Sequence, residues 1–199
     1  MLTQQARQDL LTNNLANINT PGYKQDQAMI RSFPDVLIQQ IRVPVTGGQQ
    51  AIGSIAQGVF MEENVPLFIQ GDLIDTGVKT QMAIWDSELQ PNPNQQTKPT
   101  LLFTIQDPEG GRAYTRSGLF TEDSQGQLVT SEGYLVLDDQ GKPIQTNGRE
   151  FTIDPKGTLQ FTDGQTLRLG LTKIDNPNQL LKQGNQIYRL QGGKEIFLL

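Results

Sequence analysis

Two hydrophobic patterns divide the chain. Across residues 4 to 17, apolar residues recur at helical spacing: Leu2, Ala6 and Leu10 lie four apart, and Leu11, Leu15 and Ile18 follow at four and three. At about 100° per residue these two rows cover more than half of a helix circumference, whereas a helix packed on its own domain needs one stripe. The pattern therefore predicts a helix with neighbours on more than one side, with Thr3 as a candidate cap at its start. Asn19, Thr20 and Pro21-Gly22 end it, because proline disfavours helix in the residue before it and glycine admits a positive φ.

From residue 101 to about 190 the period changes to two. Apolar positions alternate through "LLFTIQ", "AYTRSGLFT", "LVTSEGYLVL", "REFTI" and "LQF". Asp-x-x-Gly recurs between these runs, at Asp107-Gly110, Asp123-Gly126, Asp138-Gly141 and Asp154-Gly157. Asp at the first position and Gly at the fourth, with Pro108 and Pro155 at the second in two cases, is the signature of type I turns closing hairpins. The predicted fold is mainly β: an antiparallel hairpin meander, folded as a sandwich or partial barrel, with a short N-terminal helix and extended linking arms. The predicted core comprises Tyr114, Leu119, Phe120, Leu128, Val129, Tyr134, Leu135, Val136, Leu137, Phe151, Ile153, Leu159 and Phe161.

The middle is weakly patterned. Residues 25–70 read as an extended linker with short strands, "GDLIDTGVKTQMAIW" as a turn followed by a first core strand around Met82 to Trp85, and residues 90–99 as a polar loop. The expected divisions are a helix and turn over 1–24, the linker over 25–70, the β domain over 71–190 and a further segment over 191–199.

Composition narrows the function. Hydrophobic residues make up 35% and charged residues 19%, and the net charge of −5 offers no basic patch for nucleic acid. No apolar run approaches the roughly 18 residues of a membrane span, and "MLTQQARQDLL" lacks the apolar core of a signal peptide. The chain contains neither Cys nor His, which removes thiolate chemistry, Ser-His-Asp triads and the commonest zinc sites. An enzyme would have to rely on carboxylates, Lys, Tyr or Ser. Asp72, Asp75, Asp86 and Glu88 are close in sequence, but a glycosidase needs two carboxylates facing each other across a cleft. The Asp-rich turns lack the alternating oxygen ligands and terminal Glu of a calcium loop, so they are expected to be structural and metal-free. The only Trp, Trp85, is expected in the core, with a sugar platform as its alternative. No catalytic, cofactor-binding or metal-binding residue is assigned, and no small-molecule substrate is expected.

Two stretches resemble the bacterial flagellar rod and hook proteins. "LTNNLANINTPGYKQDQ" is similar to the family's N-terminal motif, the match falling on Asn14, Leu15, Ala16, Asn17, Asn19, Thr20, Pro21, Gly22, Tyr23 and Lys24. "AYTRSGLFTEDSQGQLVTSEGYLVLDDQGKPI", residues 113–144, looks like the family's β domain, and "GDLIDTG" resembles the approach to it. "AIWDSELQP" departs from the family's glycine-rich pattern at Trp85 to Leu89. The resemblance also implies residues before "MLTQQ" and a long C-terminal helix after "KEIFLL", so the sequence looks like a version without these outer pieces.

The resemblance implies a structural rod subunit, exported through the flagellar export apparatus without a cleaved signal peptide. Such subunits stack helically into a hollow shaft with other rod and hook subunits. The expected assembly interface is Leu10, Leu11, Asn14, Leu15, Asn17, Ile18, Thr20, Pro21, Gly22 and Tyr23, with residues 1 to about 20 outside the β-domain core. A secreted carbohydrate- or cell-wall-binding β module is the alternative.

Overall fold

The computed structural model describes residues 2–32, 36–40, 50–55, 58–86, 89–90, 98–184 and 186–190. The chain forms two units, each assembled from separated stretches: Met1–Asn17 with Gln25–Leu67, and Ile18–Lys24 with Phe68–Leu199. The sequence placed no division between the helix and the Pro-Gly turn; in the structure they belong to different units.

In the first unit, helix α1 spans Leu2–Ala16. Strand β1 (Asp26–Ser32) pairs antiparallel with β4 (Val59–Pro66), and β2 (Val36–Gln40) with β3 (Gln50–Ile55). Each pairing carries an irregularity, between Met29 and Ile30 in β1 and between Ile38 and Gln39 in β2. The stretch read as a linker thus forms nested hairpin ladders.

The second unit is the β domain. Its larger sheet runs β14 (Leu180–Gln183), β15 (Ile187–Leu190), β6 (Arg112–Thr115), β5 (Thr100–Gln106), β9 (Leu135–Val136), β8 (Leu128–Thr130) and β7 (Phe120–Glu122), with β13 (Leu171–Ile174) also paired to β5. A second sheet has the order β10 (Phe151–Ile153), β11 (Thr158–Phe161), β12 (Thr166–Arg168). All pairings are antiparallel. The two sheets share one core, in which Phe103, Ile105, Phe120, Leu128 and Val136 meet Phe151, Leu159 and Phe161. Phe103 and Phe120 stack edge to face, with ring centroids 5.1 Å apart. No barrel closes among the described residues.

Strand β5 organises this unit. Its side chains alternate between two faces, and both are covered. Phe103 and Ile105 enter the shared core, while Leu102 enters a smaller cluster with Tyr114, Ile174, Leu180 and Tyr188.

The Asp-x-x-Gly turns form as the sequence predicts. In each, the Gly N–H donates to the Asp carbonyl, at 2.8 to 3.1 Å. The Asp Oδ1 accepts the N–H two residues on, as in Gln125 to Asp123 (2.8 Å), Gln140 to Asp138 (2.9 Å) and Lys156 to Asp154 (3.0 Å). Glycine is required because the fourth position is left-handed, with φ +74° at Gly126.

Of the predicted core, Tyr114, Phe120, Leu128, Val136, Leu137, Phe151, Leu159 and Phe161 are buried. Leu119, Val129, Tyr134 and Leu135 are half-buried. Ile153 is exposed: it pairs with buried Leu159, but it lies on the outer strand β10, whose far side has no neighbour in that sheet. The expected strand at Met82 to Trp85 is instead an isolated bridge between Gln81 and Leu119. There Ile84 and Asp86 are buried, while Trp85 is 56% exposed and is not a core residue.

Phe151→Ala is expected to cost about 3–5 kcal/mol, since it removes a buried ring packed 5.8 Å from that of Phe161. Urea unfolding measures this, and a loss below about 1 kcal/mol would contradict the shared core.

Candidate assembly surface

Helix α1 has no buried residue, and its first apolar row is divided: Ala6 and Leu10 are half-buried, whereas Leu2 is 83% exposed. Thr3, Ala6, Leu10 and Asn14 are half-buried, and their spacing places them along one stripe. Two of them make hydrogen bonds within their unit. Thr3 does not cap the helix; its Oγ1 donates to the Val59 carbonyl of β4 at 2.8 Å. Asn14 pairs with the start of β1, its Nδ2 donating to the Asp26 carbonyl (2.9 Å) and its Oδ1 accepting the Asp26 N–H (3.0 Å). Asn17, half-buried, donates to the Asn13 carbonyl at 2.9 Å and fastens the helix end.

The other row faces solvent. Leu11 is 56% and Leu15 68% exposed; Ile18, just after the helix, is also exposed. The structure therefore divides the predicted interface residues into three groups. Leu10, Asn14 and Asn17 are half-buried, Leu11, Leu15 and Ile18 are exposed, and Thr20, Pro21, Gly22 and Tyr23 belong to a turn in the β unit.

That turn is built for close approach. The Tyr23 N–H donates to the Thr20 carbonyl at 3.2 Å, with Pro21 second and Gly22 third at φ +76°. This is the residue order of a type II turn. A Cβ on Gly22 would stand 2.7 Å from the Ser117 Cα. Gln186 Nε2 donates to the Pro21 carbonyl at 3.0 Å, and Lys182 Nζ lies 4.6 Å from the Tyr23 ring centroid. Ile18–Thr20 cluster with the β unit, but none of them is buried, so they add nothing to its core.

Behind the turn lies a buried charged cluster. Lys24 is 8% exposed, and its Nζ donates to the Ile69 carbonyl at 2.5 Å. Burial, reinforced by the positive Arg116 and partly offset by Asp86, pushes its pKa down to about 8. Arg116 Nη1 donates to Asp86 Oδ2 (2.7 Å) and to the Leu101 carbonyl (2.6 Å). Its Nη2 donates to Gln70 Oε1 (2.8 Å) and the Ile84 carbonyl (3.1 Å). One guanidinium thus joins the segment before β5, the start of β5 and the end of β6. A planar five-donor fork suits such a junction.

Sequence reasoning quoted Lys24 and Arg116 inside motifs without giving them roles, and it read Asp86 as one of four neighbouring carboxylates. Asp72 and Asp75 are exposed, Asp75 Oδ1 accepting the Gly77 N–H at 2.9 Å. Glu88 lies outside the described residues, as do residues 91–97 of the polar loop and the segment 191–199. Among the described residues, no group of three or more acidic side chains could hold a metal ion.

A helix that leaves leucines in water, joined to a β unit whose buried polar groups bind one another, is the make-up of a structural subunit that works through its surfaces. Residues 102–178 match the family model described as the flagellar hook protein FlgE/F/G D1 domain, and residues 1–24 the one described as flagella basal body rod protein. The flagellar hook-basal body complex protein FlhO of Bacillus subtilis is 33% identical over 190 residues, covering 94% of this chain and 70% of that protein. The flagellar basal-body rod protein FlgG is 32% identical in Agrobacterium fabrum, covering 88% of this chain and 64% of that protein. In Bacillus subtilis FlgG is 31% identical, covering 93% and 68%. The chain belongs to the flagellar basal-body rod and hook protein family, and it spans about two thirds of the length of these relatives. Nothing in these comparisons supports a carbohydrate-binding module.

Proposed function

We propose that the chain acts as a non-enzymatic rod subunit that assembles through the exposed row of its N-terminal helix. The observation that carries this reading is the exposure of Leu11 and Leu15 on a helix whose adjoining stripe is already engaged. A helix of 15 residues is marginal alone, and its exposed leucines would each contribute roughly 1.5–3 kcal/mol on burial. Neighbouring rod and hook subunits are the partners this reading requires. The names of the relatives support a place in the hook-basal body. Export would proceed through the flagellar apparatus without a cleaved signal peptide, followed by helical stacking into a hollow shaft.

Leu11→Asp/Leu15→Asp tests this in the full-length protein. The melting temperature of the isolated chain is expected to stay nearly unchanged, because exposed substitutions usually alter stability by less than about 0.5 kcal/mol. Incorporation into basal bodies, measured by immunoblot of purified hook-basal bodies, and swimming are both expected to be lost. Normal incorporation would refute the helix row as the assembly surface.

A further inference from the structure

We propose that Thr20–Lys24 is a latch that docks on a receptor in the β unit, and that Lys24 is the group through which it is released. The receptor has four components, all within one unit. The Ser117 backbone forms a shelf that only a residue without a side chain can approach, and Gly22 occupies it. The Gln186 amide holds the Pro21 carbonyl. The Lys182 ammonium lies over the Tyr23 ring. The Ile69 carbonyl receives the Lys24 amine.

The Gly22 shelf and the Gln186 bond involve no ionisable group, whereas the Lys24 contact depends on the charge of its amine. A docked Lys24 faces the guanidinium of Arg116 and the carboxylate of Asp86, which are already hydrogen-bonded to each other. Lys182, on β14, also lies against the turn through the Tyr23 ring, and Gln70 and Gln186 are neutral. An ammonium therefore docks beside a cation at the cost of its hydration, whereas a neutral amine keeps the hydrogen bond without that cost.

The sign follows from linkage. Docking lowers the Lys24 pKa from 10.5 to about 8, so the undocked state binds more protons between those values. The latch is weakest and pH-independent below about 8, and it tightens as pH rises towards 10.5. At neutral pH the turn is thus held at the releasable end of its range. This inference rests on the β unit alone and stands apart from the assembly reading.

Hydrogen exchange of the intact chain reads the latch directly, once intrinsic exchange rates are divided out. Protection of amides 18–24 is expected to rise at least roughly tenfold between pH 7 and pH 9.5 in the parent protein. It should stay flat in Lys24→Met, which carries no charge, and in Lys24→Arg, which stays charged throughout and should be less protected than the parent. An NMR titration of the Lys24 side chain gives a second readout that needs no variant: a midpoint near 8 supports the latch. A midpoint near the ordinary lysine value, or equal pH dependence in the parent and both variants, would overturn it. Rod incorporation is not a readout here, so failure of the latch and failure of the helix surface are separable.

Discussion

Replacing Arg116 with Met is expected to cost the β unit about 3–5 kcal/mol, the range for breaking a buried ion pair by removing one partner. The side chain is 5% exposed, and its loss strands the Asp86 carboxylate, itself 4% exposed, with Thr100 Oγ1 at 3.3 Å as its remaining hydrogen-bond donor in this cluster. It also leaves the Leu101 and Ile84 carbonyls without the guanidinium donor. For a chain of this size, a loss of that order lowers the melting temperature by roughly 10 °C. The double substitution Arg116→Met/Asp86→Leu should recover part of the loss, since a buried pair replaced by apolar groups is often neutral. Thermal unfolding of the parent, both single variants and the double variant measures the coupling. A single-variant loss under 1 kcal/mol would mean that water replaces the guanidinium, and the cluster would then not hold the segment before β5.

Gly22→Val should act on the same unit by a different route. The backbone at residue 22 is left-handed, a region in which a β-branched residue is strained by about 1–3 kcal/mol. The added Cβ would also meet backbone, 2.7 Å from the Ser117 Cα and 2.9 Å from its nitrogen, and backbone cannot swing aside as a side chain can. The turn is expected to leave its shelf, taking with it the bonds of Pro21 and Lys24. The expected readouts are a lower melting temperature, loss of protection at residues 18–24, and impaired rod incorporation of the full-length protein. Gly22→Ala should show the same pattern, because its Cβ is the same atom in the same place. Parent-like melting and protection in both variants would mean that the shelf is not as close as described.

How much could be read from the sequence depended on how local each feature is. The Asp-x-x-Gly turns were legible because their bonds lie within five residues: the Asp123 carboxylate accepts the N–H groups of both Gln125 and Gln127. A further local signal went unused. Asn147-Gly148 forms a tight turn with both residues at positive φ, the Arg149 N–H donating to the Thr146 carbonyl at 3.0 Å. The charged cluster was not legible, because Lys24, Asp86 and Arg116 are brought together from distant parts of the chain, and each alone reads as a solvated surface residue. The two rows on α1 were visible in the spacing. The structure supplied the distinction between them, which depends on where β1 and β4 offer backbone groups to Asn14 and Thr3.

The doubly covered strand β5 also bears on when this chain acquires its fold. Thr100–Phe103 pair with Ile174–Leu171, and the neighbouring strand β6 pairs with Ile187 and Tyr188, so the central ladder joins strands roughly seventy positions apart. Loop closure over such distances comes before any reward in buried surface, which places the β unit among slow, topology-limited folders. A nascent chain therefore cannot complete its central sheet until Ile187 and Tyr188 have left the ribosome.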